Sequence, residues 1–259
     1  MSQAIYERPL YYDIAFTWDL TREIEFFGEV FAEHVAFPVR RILEPACGTG
    51  RFLLALPRHG YRVVGYDASR LMVDYARARI SNAGDPGRAR VVVDDMRSAR
   101  FGREFDAALN SINSLGYLLE DDEIVRHFQN TAASIKRGGV YIVHLSCAWR
   151  GEPDLEHNTW EFERDGVRVR TKWTVEREDR ESKRSLELCT MEIEDGGQRI
   201  SLVDRHELRL WFYEDLRALV DRSGALELAA VYAEDFARLP ISTDITGELG
   251  NLYYVLKVG

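Results

Sequence analysis

The stretch Ile42-Leu43-Glu44-Pro45-Ala46-Cys47-Gly48-Thr49-Gly50-Arg51-Phe52 constrains this chain more than any other. A short apolar run, Ile42-Leu43, ends in an acid, passes through a turn of small residues and gives way to a helical pattern at Phe52. That order reads as strand, glycine-rich loop and helix N-terminus. Gly48 and Gly50 lack a Cβ, so the backbone can take positive φ and let a ligand approach closely. The N–H groups of the following helix then face that ligand. A dinucleotide fingerprint places a third glycine three positions after the second, where this chain has Leu53. Glu44 would also repel a pyrophosphate, and it suits a ligand with a cationic amino-acid end.

The segment resembles motif I of the class I S-adenosylmethionine (SAM)-dependent methyltransferases, in the form Glu-x-Ala-Cys-Gly-Thr-Gly. Ala46 stands where the commoner pattern has its first glycine. The resemblance implies a doubly wound, Rossmann-like α/β fold with a seven-stranded sheet. It also implies SAM as cofactor (SAH as product), held by Glu44 and by the turn residues Ala46, Cys47, Gly48 and Gly50.

The stretches that follow extend the reading. Tyr61 to Asp67 is a second strand ending in an acid. In a right-handed βαβ unit the end of strand two lies beside the end of strand one. Asp67, with Ala68 next to it, therefore arrives where a ribose would sit and can accept both hydroxyls. The blander reading, Asp67 as a helix cap, competes with Ser69, which is equally available. Leu71 to Ile80 reads as a helix, and residues 82–87 as a loop. Ala89 to Met96 is a third strand ending in Asp94-Asp95-Met96. By the resemblance, Asp95 accepts the adenine amino group and Met96 packs on the ring. Phe105 to Asn110 is the fourth strand, which by resemblance ends beside the sulfonium. Two readings stand for Asn110 and Ser111: bonds to the methionyl part or the acceptor, or simple turn formation. Asp121 to Lys136 is an amphipathic helix that Gly138-Gly139 should stop, and Val140 to Ser146 is a buried fifth strand.

Residues 1–39 carry Tyr6, Tyr11, Tyr12, Phe16 and Trp18, then Ile24, Phe27, Val30 and Phe31 at helical spacing. By the resemblance this segment folds over the cofactor, with Tyr12 against SAM or the substrate. A buried tyrosine with a satisfied hydroxyl is the competing reading. Residues 151–205 break the βα alternation. Alternating apolar and polar residues with turn signals at Asp165-Gly166 and Asp195-Gly196-Gly197 predict about four antiparallel strands. The expected organisation is a SAM-binding domain over 1–150 and 206–259, with 151–205 inserted as a roof over the substrate site. The layout resembles small-molecule methyltransferases, sugar N-methyltransferases among them, in which such a sheet often helps dimerise. A homodimer through the inserted sheet is therefore expected. Arg168, Arg170 and Lys172 read as a solvated strand face.

The formal net charge of −9 argues against broad binding to nucleic acid. The absence of a long apolar run predicts no membrane span, and Cys47, Cys147 and Cys189 lack disulfide or metal spacing, which predicts a cytoplasmic protein. No metal site is expected. His144, near the carboxyl end of strand five, is the first choice for a proton acceptor, with Tyr12 beside the reacting centre; His206 is second. The function expected is methyl transfer from SAM to a nitrogen or oxygen of a small molecule. RNA or protein methylation, and SAM or SAH binding without transfer, remain as alternatives.

Overall fold

The structure, a computed structural model, describes residues 5–83, 87–148, 157–241 and 250–259. The centre of the expected loop (84–86) and the start of the expected insert (151–156) lie outside the described residues.

The chain opens with α1 (Pro9–Ala15) and α2 (Thr21–His34), the second burying Ile24, Phe26, Phe27, Val30 and Phe31 on one stripe. The βα alternation follows: β1 (Arg41–Pro45), a short α3 (Arg51–Ala55) continued by a 3-10 turn, β2 (Arg62–Asp67), α4 (Arg70–Asn82), β3 (Ala89–Val93), β4 (Phe105–Asn110), α5 (Asp121–Ser134) and β5 (Ile135–Ser146). Gly60, left-handed at φ 91°, ends the 3-10 turn. Every residue of β4 is buried, the polar Asp106 and Asn110 included.

The junction of α5 and β5 differs from expectation. The helix ends at Ser134 and the strand starts at once, so Gly138 and Gly139 lie inside β5 and stop nothing. Gly138 takes φ 77°. A Cβ on Gly139 would fall 2.3 Å from the Asp106 carbonyl oxygen, so only glycine lets β5 close on β4 there.

Four long strands come next: β6 (His157–Arg164), β7 (Val167–Asp179), β8 (Arg184–Asp195) and β9 (Gln198–Arg209), then α6 (Tyr213–Ser223), β10 (Leu226–Ala233), β11 (Arg238–Leu239) and β12 (Asn251–Val258). Two sheets result. The larger has eight strands in the order β11-β10-β12-β5-β4-β1-β2-β3. It comprises the seven expected strands plus the two-residue β11 at one edge. β3, β2, β1, β4 and β5 run parallel, while β12 lies antiparallel between β5 and β10. The strand order reverses between β1 and β4, and ligands of such sheets bind outside the carboxyl ends of the strands at that point. α2, α3 and α4 cover one face through Phe27, Phe52, Leu53 and Val73; α5 and α6 cover the other through Phe128, Ile124 and Leu216.

The second sheet is the four-stranded meander β6-β7-β8-β9, antiparallel throughout. Its inner face, Val169, Cys189, Met191 and Ile193, packs on Ile5, Ile14, Ala15 and Phe16 from the start of the chain. The apolar face of the insert is thus covered by the N-terminal segment. Among the described residues no helix is long and apolar enough to cross a membrane.

Candidate active site

The turn after β1 is strained. Ala46, Gly48 and Gly50 all adopt left-handed backbone, with φ of 52°, 53° and 78°. A Cβ-bearing residue pays about 1–2 kcal/mol for that conformation, so Ala46 occupies a position shaped for glycine. Cys47 turns its side chain away from the turn. Its Sγ packs under β2, where a Cβ on Gly65 would come within 2.8 Å of it, and its N–H donates to the Tyr66 carbonyl (3.0 Å). Gly65 is a requirement of this turn that the sequence pattern does not announce.

Asp67 reaches the turn from the end of β2. Its carboxylate accepts the Gly48 N–H (2.9 Å) and the Ser69 N–H (2.8 Å), while Ser69 caps α4 by accepting the Met72 N–H. The two readings of Asp67 therefore merge: it braces the turn, and each oxygen keeps a lone pair for a hydroxyl. Ala68 is exposed beside it. Glu44 is buried at the end of β1, and its Oε2 has no partner. Burial pushes its carboxyl up to about 8, against the pull of the Arg51 charge.

The third strand end is more occupied. Asp95 is held by Arg97, through the Arg97 N–H (2.8 Å) and an ion pair at 3.1 Å. The Met96 carbonyl is met by His127 Nδ1 at 3.1 Å, and His127 Nε2 lies 2.8 Å from the Tyr141 hydroxyl. A carbonyl only accepts, so Nδ1 carries the proton and Tyr141 donates to Nε2. Asn110 Nδ2 donates to the Pro45 carbonyl (3.1 Å) and lies 3.9 Å from Met96 Sδ, leaving a buried Oδ1 without a partner. Ser111 contributes its carbonyl to the Ser114 hydroxyl (2.9 Å). Its bond is thus that of a turn former.

His144 occupies the expected place but not a base's environment. Its Nδ1 accepts the Ile112 N–H (3.1 Å), its ring packs on Tyr253, and burial, with the Arg51 charge adding, pushes it down to about 4. With Nδ1 spent, the proton sits on Nε2, and no lone pair is free to take one from an acceptor. What His144 holds is a strained turn: Ile112 and Asn113 are both left-handed (φ 55° and 53°), a costly state for a β-branched residue. The expected base role gives way to one of support, because the nearest backbone donor took the lone pair.

Tyr12 lies over the glycine turn. A Cβ built on Gly48 would sit 3.8 Å from its ring. Its helix is locked by Asp13, which is buried and ion-paired to Arg79 of α4 and to Arg164 of β6 (2.7 Å). Arg79 also donates to the Thr49 carbonyl (3.1 Å), so one carboxylate ties α1, α4, the insert and the turn together.

Tyr12 also meets Tyr6 (ring centroids 5.4 Å apart), whose hydroxyl bonds that of Tyr117. The Tyr117 hydroxyl lies 3.2 Å from His206 Nδ1, and the His206 ring stacks on Trp173 at 5.2 Å. Glu187, raised by burial, accepts the Trp173 indole N–H. His206 Nε2 has no hydrogen bond and lies 3.9 Å from the Asp204 carboxylate. Tyr6 belongs to the aromatic segment noted in the sequence, whereas Tyr117 and Glu187 carried no signal, because they lie far from it along the chain. A separate groove of about 600 Å³ at the start of α5 has its cations paired: Lys183 to Asp215, Arg184 to Glu120 and Arg209 to Asp121.

These residues fit an adenosine ligand with a cationic amino-acid end. The turn offers close approach, Asp67 offers acceptors for hydroxyls, and Glu44 offers an unpartnered carboxyl. Residues 42–139 match the methyltransferase-domain family. Over 111 residues the chain is 31% identical to a putative methyltransferase of Bacillus subtilis, spanning 42% of this chain and 44% of that protein. Over 102 residues it is 31% identical to the dTDP-3-amino-3,4,6-trideoxy-alpha-D-glucopyranose N,N-dimethyltransferase of Streptomyces venezuelae, spanning 39% and 40%. The chain thus spans less than half the length of these relatives. A solved SAM-dependent methyltransferase from Clostridium acetobutylicum superposes with a TM-score of 0.75 at 21% identity, over 96% of both chains. The sugar N-methyltransferase KedS8 from Streptoalloteichus superposes with a TM-score of 0.72 at 22% identity, over 95% of this chain and 90% of that one. Residues 42–139 accordingly match the methyltransferase-domain family, and the chain as a whole has the fold of solved SAM-dependent methyltransferases.

Proposed function

We propose that this protein moves a methyl group from SAM to a nitrogen of a small molecule held beneath the inserted sheet. The observation that carries the reading is that Tyr12 contacts both the glycine turn and the Tyr6 ring of the Tyr6–Tyr117–His206 cluster. A cofactor at the turn and an acceptor at the cluster would meet across that ring.

Bound SAM supplies a methyl group on a positively charged sulfur, already a strong electrophile. The protein's work is then to bind, align, dry the site and manage a proton. Glu44 and Asp67 would hold the amino-acid end and the ribose, with Asp95 and Met96 at the base. The segment 5–16, pressed between the turn and the insert, excludes water. Tyr6 and Tyr117 offer hydroxyls to orient an acceptor, and Trp173 and Tyr12 offer ring faces. An amine attacks only when neutral. The pair best placed to take its proton is Tyr117 with His206: the phenol donates to Nδ1, and the imidazolium so formed has Asp204 near its Nε2–H. Burial keeps the His206 ring neutral beforehand.

The names of the Streptomyces relative and of KedS8 favour nitrogen over oxygen, with amino sugars as the first acceptors to try. We further read residues 157–209 as a roof domain whose outer face, with Val203 half exposed, joins two copies; light scattering should then give twice the chain mass. Three free cysteines support a reducing, cytoplasmic setting. The test is SAH release with a panel of amino sugars, other amines and hydroxylated metabolites. Release with an amine, lowered at least tenfold in His206→Gln, supports the reading. SAM binding with no release on any acceptor points to a binding protein, and release with hydroxylated compounds alone moves the acceptor to oxygen.

A further inference from the structure

Two polar atoms beside the turn are buried without a hydrogen-bond partner, one on an acid and one on a base: Glu44 Oε2 and Arg51 Nη1. Arg51 follows Gly50, and its guanidinium lies 4.5 Å over the Trp18 ring and 5.8 Å from the Phe52 ring. Cation–π contacts fix the position of a guanidinium but leave its N–H donors unspent. Glu23, the nearby acid on α2, is engaged by the Tyr253 hydroxyl (3.1 Å). A protein gains nothing in stability by burying such atoms of an acid and a base unpaired. It gains a receptor if a ligand brings the complementary pair.

We propose that Arg51 receives the carboxylate of the cofactor's amino-acid tail while Glu44 receives the ammonium, so that the site selects ligands with an intact zwitterion. A guanidinium fork matches a carboxylate in geometry as well as charge. Trp18, a residue 37% exposed, serves to hold that fork in place. The inference rests on the SAM reading and adds to it a residue that no motif marks, together with a preference against decarboxylated cofactor.

The test compares three ligands by titration calorimetry: SAM, decarboxylated SAM, which keeps the ammonium, and 5′-methylthioadenosine, which has neither group. The wild-type chain should bind SAM about 10–100 times more tightly than decarboxylated SAM, the range of charged hydrogen bonds. Arg51→Gln should erase that ratio and leave 5′-methylthioadenosine affinity unchanged. Glu44→Gln should weaken SAM and decarboxylated SAM alike. If Arg51→Gln does not fold, Arg51→Lys, a point charge in place of a fork, should give an intermediate ratio. Equal wild-type affinity for SAM and decarboxylated SAM would overturn the proposal, as would an unchanged ratio in either Arg51 variant. So would an equal loss for all three ligands. A wild-type chain that binds none of them would instead overturn the SAM reading beneath it.

Discussion

Glu44 shows what one residue in the right place implies. Its carboxyl, pushed up to about 8 by burial, is mostly protonated in the free protein at neutral pH. A ligand bearing an ammonium needs it ionised. SAM affinity should therefore rise as pH goes from 6 to 8, by up to about tenfold per unit, and Glu44→Gln should flatten that profile; calorimetry at three pH values checks it. Ala46 offers a second test. Its left-handed backbone predicts that Ala46→Gly stabilises the chain by about 0.5–1 kcal/mol, read as a higher urea midpoint. Glu44 and Asp67 were legible in the sequence because each ends an apolar strand at a fixed distance from a glycine turn. The role of His144 was not, since no pattern tells that Ile112 would present its N–H to the ring. Arg51 was adjacent to the motif, yet only burial distinguishes it from a surface arginine.

At the scale of elements, the N-terminal segment does the most to join the parts. α1 touches the glycine turn through Tyr12, the insert through Ile14 and Phe16, and α4 through Asp13. Asp13→Asn leaves Arg79 and Arg164 without their shared anion. Because both arginines are partly exposed, the expected cost is about 2–3 kcal/mol, together with weaker SAM binding as the lid over Gly48 loosens; urea unfolding and calorimetry measure the two effects. The four strands of the insert were readable from alternation and turn signals. What covers them was not, because the partner segment lies over a hundred residues away in sequence. The α5–β5 junction was misread for a related reason: Gly138 and Gly139 look like a helix stop, whereas the close approach of Asp106 explains them.

For the whole molecule, His127 and His144 contribute strongly to the response to acid. Burial pushes His127 and His144 down to about 4 from an ordinary 6.5. Between those values the unfolded chain binds protons that the folded chain refuses, so these two histidines withdraw stability as pH drops from 6.5 to 4, against an opposite contribution from the raised carboxyl of Glu44. The slope is about 1.4 kcal/mol per pH unit for each histidine. His127→Gln should remove about half of the slope these two contribute, as followed by urea midpoints across that window. The central claim is tested most directly by thermal unfolding with SAM, SAH and NAD⁺, each far above its expected dissociation constant. A ligand at about 100 times that constant stabilises by about 2.7 kcal/mol, several degrees for a chain of this size. The account predicts a shift with SAM and SAH and none with NAD⁺. A shift with NAD⁺ alone would contradict it, and the reading of Glu44 and Leu53 as marks of an amino-acid-tailed ligand would fall.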